Sequence, residues 1–289
     1  VESTPSPAPL ALRAWSTPAR VGAVVLQAIA VLNVLYVAAH LVYDILEGTE
    51  TAPPRTVALG LTLFSGVPLL LVGALRHLGR ATLEVLPETL ALVRGGTRFE
   101  IPLTSIKTVQ PWRLPFPGGG VSLRMSSGRT FRHHLEASKP SALLAALTSV
   151  LPVEAAPPRS GALAYVTARS QLGRRGWVFL GIKHGLAPLV LTVITFRLHQ
   201  MIVFGSPFGQ YRLFGLASYL KTFADFWMGT AGGLLVYASV WRVLTEALAL
   251  PITVAVPRWA SGIRRGVEGI CFVAYFVLVP GFVLFRLLL

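Results

Sequence analysis

The sequence predicts an α-helical integral membrane protein of about five transmembrane helices, with a small β domain inserted between the second and the third. Three observations carry this expectation. Five apolar runs reach the length needed to cross a bilayer. Residues 81–151 alternate instead with the period of a half-buried strand. The loops between the runs alternate in the sign of their charge. Composition agrees. Apolar types make up 53% of the 289 residues and charged types 13%, about half the usual charged share. So few charges cannot cover a surface facing only water.

The chain carries 26 basic and 12 acidic residues, a formal charge of +14. In a soluble protein such an excess suggests nucleic acid. In so apolar a chain it suggests arginine-rich cytoplasmic loops, and no nucleic-acid partner is expected. The single cysteine, Cys271, lies in an apolar run and excludes a disulfide within the chain.

Residues 1–20, rich in Pro, Ser and Ala, read as a disordered tail. The run after it, 21–42, is too long for the core of a signal peptide and reads as the first span. The next link, 43–55, carries Asp44, Glu47 and Glu50 against Arg55, and Pro53-Pro54 resets its direction. The run 56–75 returns across the membrane, so that 21–78 forms a two-helix hairpin.

The β domain is expected over 79–151. Strands 82–86 and 89–94 meet at Pro87-Glu88, and Gly95-Gly96 marks the next turn. TRFEIPL, SIKTVQPW, VSLRMSS and RTFRHHLE follow. Phe99, Ile101 and Leu103 share one face, as do Val121, Leu123 and Met125, and then Phe131, His133 and Leu135. PFPGGG, 115–120, reads as a flexible loop. The Ala/Leu-rich stretch 141–151 reads as one helix, capped by Ser138 or Ser141.

The run TLEVLPETLALVRGGTRFEIPLTSIKTVQ, with SLRMSSGRTFRHHLE and SALLAALTSVL after it, resembles a bacterial pleckstrin-homology-like (PH-like) domain. The resemblance covers about a quarter of the chain. It implies a bent antiparallel barrel of seven strands with a helix plugging one end. Six strands are visible, and the region 106–112 with its following loop is the expected place of the seventh. Eukaryotic relatives of such domains often bind phosphoinositides. That makes Arg113, Arg124, Arg129 and Arg132 a candidate face for anionic lipid. The early basic loop of such sites is missing here, and Leu86-Pro87-Glu88 stands in its place.

Residues 152–176 read as a linker with a short surface helix at 162–172. The block 177–289 holds three more spans, beginning at Trp177, Met228 and Val267. Between the first two, near 208–225, Leu213, Leu216, Leu220 and Phe223 fall at helical spacing, as in an amphipathic helix lying at the interface. Residues 251–266 form a basic connection. Residues 76–175 hold 14 basic residues against 5 glutamates. The positive-inside rule then expects the N-terminus and β domain to be cytoplasmic and the C-terminus outside, and the resemblance implies the plasma (inner) membrane of a bacterium. Arg76, Arg80, Arg174 and Arg175, next to the spans, weigh most.

Arg242 and Glu246 lie four apart in the fourth span and share a helix face. With Lys183, His184, Arg197 and His199 they form a candidate intramembrane polar site. Snorkelling and structural pairing are the competing readings. The six histidines show no ligand-spaced cluster, and no nucleophile–base set, metal site or cofactor motif is recognisable. The expected function is non-enzymatic. The β domain would serve assembly or regulation by binding membrane or cytoplasmic proteins within a complex. Transport through the charged C-terminal helices is the alternative.

Overall fold

The computed structural model describes residues 9–49, 53–151, 160–172 and 176–288. Residues 1–8 of the expected tail, Glu50, most of the linker before Ser160, and Arg174 and Arg175 lie outside the described residues. The chain divides into two compact units. Unit 1 comprises Val1–Ala28, Leu69–Gly173 and Thr245–Ile270. Unit 2 comprises Ile29–Pro68, Arg174–Leu244 and Cys271–Leu289.

Among the described residues five helices are long and apolar enough to cross a membrane. They are α1 (Thr17–Glu47), α2 (Pro54–Leu78), α5 (Trp177–Phe204), α6 (Gly209–Ala255) and α7 (Pro257–Phe285). Two short helices, α3 (Pro140–Thr148) and α4 (Gly161–Gln171), lie between them in sequence. Pro54 stands at the first position of α2, where its missing N–H costs nothing.

Unit 1 is built on a curled, seven-stranded antiparallel sheet in the order β4-β3-β2-β1-β7-β6-β5. The strands are β1 (Leu10–Ser16), β2 (Arg80–Val85), β3 (Thr89–Arg94), β4 (Thr97–Pro102), β5 (Ile106–Pro111), β6 (Gly120–Met125) and β7 (His133–Ala137). The expected tail is thus corrected over Leu10–Ser16. This stretch is the central strand, pairing with β2 on one side and β7 on the other. It is also the seventh strand, which was expected near 106–112. Its reason is the alternation Leu10, Leu12, Ala14, which faces the inner core, while Arg13 and Trp15 face the other way.

The inner core gathers Leu83, Leu90, Leu92, Val109, Leu123 and Leu135. Leu143, Leu147 and Leu151 close it from α3 and the turn after it. Lys139 precedes α3 and makes no side-chain cap, so neither expected serine caps that helix. His133 lies inside against the rings of Phe99 and Phe131, at centroid distances of 5.3 and 5.6 Å. Burial first, and then the charges of Arg94 and Arg132, hold its pKa below the ordinary value.

The outer face carries a second apolar layer. Trp15 and Trp112 pack with Ala23 of α1 and Val72 of α2. Strand β1 passes directly into α1, and Gly79 alone separates α2 from β2. Ala14 N–H donates to the Gly79 carbonyl at 2.8 Å across that junction. Beneath this layer the buried Glu136 carboxylate accepts from Arg13 at 3.0 Å and from the Trp15 indole at 2.6 Å. The loop 115–120 is correspondingly braced rather than free. Arg20 stacks 3.8 Å over the Trp112 ring, the Arg76 guanidinium donates to the Pro117 carbonyl, and Ala137 N–H donates to the Gly119 carbonyl.

Unit 2 is helical. Val37, Leu61 and Val236 form its buried cluster, with Val34, Leu41 and Val240 around them. Three helices each contain one widened π turn: Thr62–Gly66 in α2, Ile182–Leu186 in α5 and Ala274–Leu278 in α7. The expected interfacial helix near 208–225 is part of α6 but is broken within. Gly215 adopts φ 80° and ψ 175°, a conformation open to glycine, so Leu213 and Leu216 belong to two separately phased helical pieces. The connection expected over 251–266 is mostly helical, because α6 runs through Pro251 to Ala255 and α7 begins at Pro257.

Candidate functional site

A buried group of charges in unit 1 joins three helices. Ser160 caps α4, accepting from Leu163 N–H at 3.2 Å. This helix turns Ala162, Tyr165 and Ala168 inward, so the short surface helix expected at 162–172 buries one face. Gly161 lies so close to the backbone of Val254 that a Cβ there would collide with it. This close approach brings Tyr165 beside the last three turns of α6, where its hydroxyl donates to the Glu246 carboxylate. The other oxygen of Glu246 accepts from Arg264 Nη1 of α7 at 2.6 Å. Arg264 Nη2 bonds Glu268, one turn further on, also at 2.6 Å. Arg264 is only 5% exposed.

With both oxygens of Glu246 engaged, the arrangement acts as a clamp on α4, α6 and α7. It also fixes the state of Tyr165. Burial foremost, then the hydrogen bond to Glu246 and its charge, push the phenol up to about 12, against a smaller pull from Arg169 and Arg264. An unfolded chain ionises this phenol from its ordinary value of 10.0 upward, whereas the folded chain holds it neutral to about 12. The stability it contributes is therefore complete below pH 10 and is lost as the pH rises towards 12. Tyrosinate absorbance of the parent minus that of Tyr165→Phe is expected to show one phenol titrating near 12. A missing phenol that titrates at its ordinary value would refute the buried hydrogen bond.

The candidate polar residues fall in both units, Glu246 in unit 1 and Lys183, His184, Arg197, His199 and Arg242 in unit 2. Arg242 is half-buried on α6, one turn before Glu246 in sequence. In unit 2, Lys183 sits in the π turn of α5 with its ammonium 4.9 Å from the Tyr275 ring, and His184 is exposed. Arg197 is exposed. His199 packs among Phe196, Phe204 and Phe226, 4.9 Å from the last ring. On the sheet, Arg113, Arg124, Arg129 and Arg132 are all exposed. Thr108 pairs with Arg124 and Pro111 with Val121, so Arg124 lies at one end of β5 and Arg113 just beyond the other, about 10 Å or more apart. Arg129 and Arg132 follow in the β6–β7 connection, and exposed Lys107 marks the irregular register beside Arg124.

Sequence reasoning missed Tyr165, Arg264 and Glu268. The i,i+4 pair Arg264–Glu268 was visible, but Pro251 and Pro257 made the region look like a loop. It also missed the buried amide pair Gln200–Gln210, joined at 2.7 Å and extended to Thr222 at 2.8 Å. Among the described residues no group of three or more His, Cys, Asp or Glu side chains is arranged to hold a metal ion. Comparisons with protein-family models, with curated proteins and with solved structures gave no match.

Proposed function

We propose that this chain is a non-enzymatic, five-span protein of a bacterial inner membrane, and that its PH-like domain is a cytoplasmic docking module for a partner protein in a membrane complex. The observation that carries the reading is the pair of short junctions in unit 1, β1 into α1 directly and α2 into β2 through Gly79 alone. Neighbouring strands β1 and β2 continue into α1 and α2, and Trp15 and Trp112 pack on the same helices. A domain joined in this way is suited to pass a docking event along the chain into the helices that begin or end at it. The strand order, with α3 closing the core, supports the PH-like reading. Exposed side chains such as Leu70, Trp177 and Ile202, each at least 75% exposed, support helices solvated by lipid. The engaged carboxylate of Glu246 supports a clamp rather than a transport path.

A photoreactive residue at Arg124 or Arg129 in the full chain, in native membranes, is expected to give one discrete adduct that Arg132→Glu abolishes. A membrane-impermeant thiol reagent should reach Thr97→Cys in a Cys271→Ala background only after the membrane is opened. No adduct from any sheet position, together with loss of the cellular phenotype in Arg242→Met/Glu246→Gln, would replace docking with transport.

A further inference from the structure

Two of the π turns meet in unit 2. A π turn leaves a backbone carbonyl without its usual helical partner, and here a neighbouring helix supplies one. The Tyr275 hydroxyl, from the π turn of α7, donates to the carbonyl of Lys183 in the π turn of α5. The Tyr237 hydroxyl of α6 donates to the Ala274 carbonyl at 3.2 Å. Three helices are thus locked together where the Lys183 ammonium lies over the Tyr275 ring.

A slot of about 420 Å³ opens beside Tyr275. It runs along α5 past Leu186 and Val190 to Ile194, and along α7 past Val279 to Val283. Its lining is apolar, and from Ile182 to Ile194 it follows about 18 Å of helix. Lys183 stands at one end of it, six residues beyond Trp177, about 9 Å into the helix. The slot leads away from that end. A cation near the start of a span, with a hydrocarbon channel running deeper from it, matches the layout of a lipid whose phosphate lies at the boundary and whose chain descends into the core. The long stem of a lysine at this depth lets its ammonium reach the phosphate layer from its place 4.9 Å from the Tyr275 ring, and the volume falls within the usual range of ligand sites, ~300–1,000 Å³.

We propose that this slot holds one acyl chain of an anionic phospholipid whose phosphate pairs with Lys183. The proposal rests on the reading of α5 and α7 as membrane spans. The test uses the full chain reconstituted in phosphatidylcholine bilayers containing a minority of phosphatidylglycerol. It is then extracted in mild detergent, and the retained lipid is identified by native mass spectrometry. The parent is expected to retain phosphatidylglycerol in preference. Lys183→Gln should lower that preference by about fivefold, the upper range for a partly exposed ion pair, while Lys183→Arg keeps it. Val190→Trp, which fills the slot, should lose the retained lipid of either kind. Entry into bilayers with no loss of preference in Lys183→Gln overturns this site alone, as does retention of a fatty acid or a second copy of the chain instead. Failure to enter bilayers overturns the membrane reading beneath it.

Discussion

Replacing Arg264 by methionine is expected to destabilise the chain by about 3–5 kcal/mol, the effect of removing one partner from a buried ion pair. The guanidinium bridges Glu246 and Glu268 at 2.6 Å each and is almost wholly enclosed. Without it the carboxylates of Glu246 and Glu268 lose the guanidinium that bridges them. Tyr165→Phe removes a single hydrogen bond and should cost only about 1 kcal/mol. The combined variant Arg264→Met/Glu246→Gln/Glu268→Gln separates charge from packing, and should recover most of the loss because nothing charged is then stranded. Thermal unfolding in detergent, followed by tryptophan fluorescence, reads all three. An Arg264→Met chain as stable as the parent would show that the cluster does not hold the helices.

A chain beginning at Thr17 should fail to form the sheet at all. Strand β1 pairs with both β2 and β7, so its removal separates β2–β4 from β5–β7 and breaks the ladder at its centre. It also takes Leu12 and Ala14 from the inner core and Trp15 from the outer layer. Trp15→Ala alone should cost ~3–5 kcal/mol, as for other buried aromatic truncations, and it also leaves Glu136 with one donor fewer. Hydrogen exchange on β2 and β7 is the direct measurement. Full protection of both strands in the truncated chain, or a stable fold from Ala81 onward by itself, would overturn this account.

These two cases also show what the sequence could reveal. The five apolar helices and strands β2 to β7 were legible because each is written in its own local period. Strand β1 was hidden because its short alternation sits among prolines, serines and alanines, and its partners lie about seventy and about a hundred and twenty residues away. Glu246 could be singled out as a charge within an apolar run. Its partners could not, since Tyr165 and Arg264 come from stretches that read as linker and loop and meet it only through helix packing. The π turns have no local signature either. In α2 the widened turn is held by Asn33, which donates to Ser65 at 2.8 Å and to the Gly60 carbonyl at 3.4 Å from a different helix.

Those π turns set the phase of the helices that contain them. Each amounts to one residue inserted into a regular helix, which turns everything beyond it by about 100°. Deleting one residue within Thr62–Gly66 would restore an ordinary α-helix and shift Val67 and Pro68 about 100° around it relative to Leu61 of the buried cluster. Within unit 2 the widened turn therefore sets which residues of α2 line up with Leu61, while its apolar surface positions remain free to exchange one hydrocarbon side chain for another.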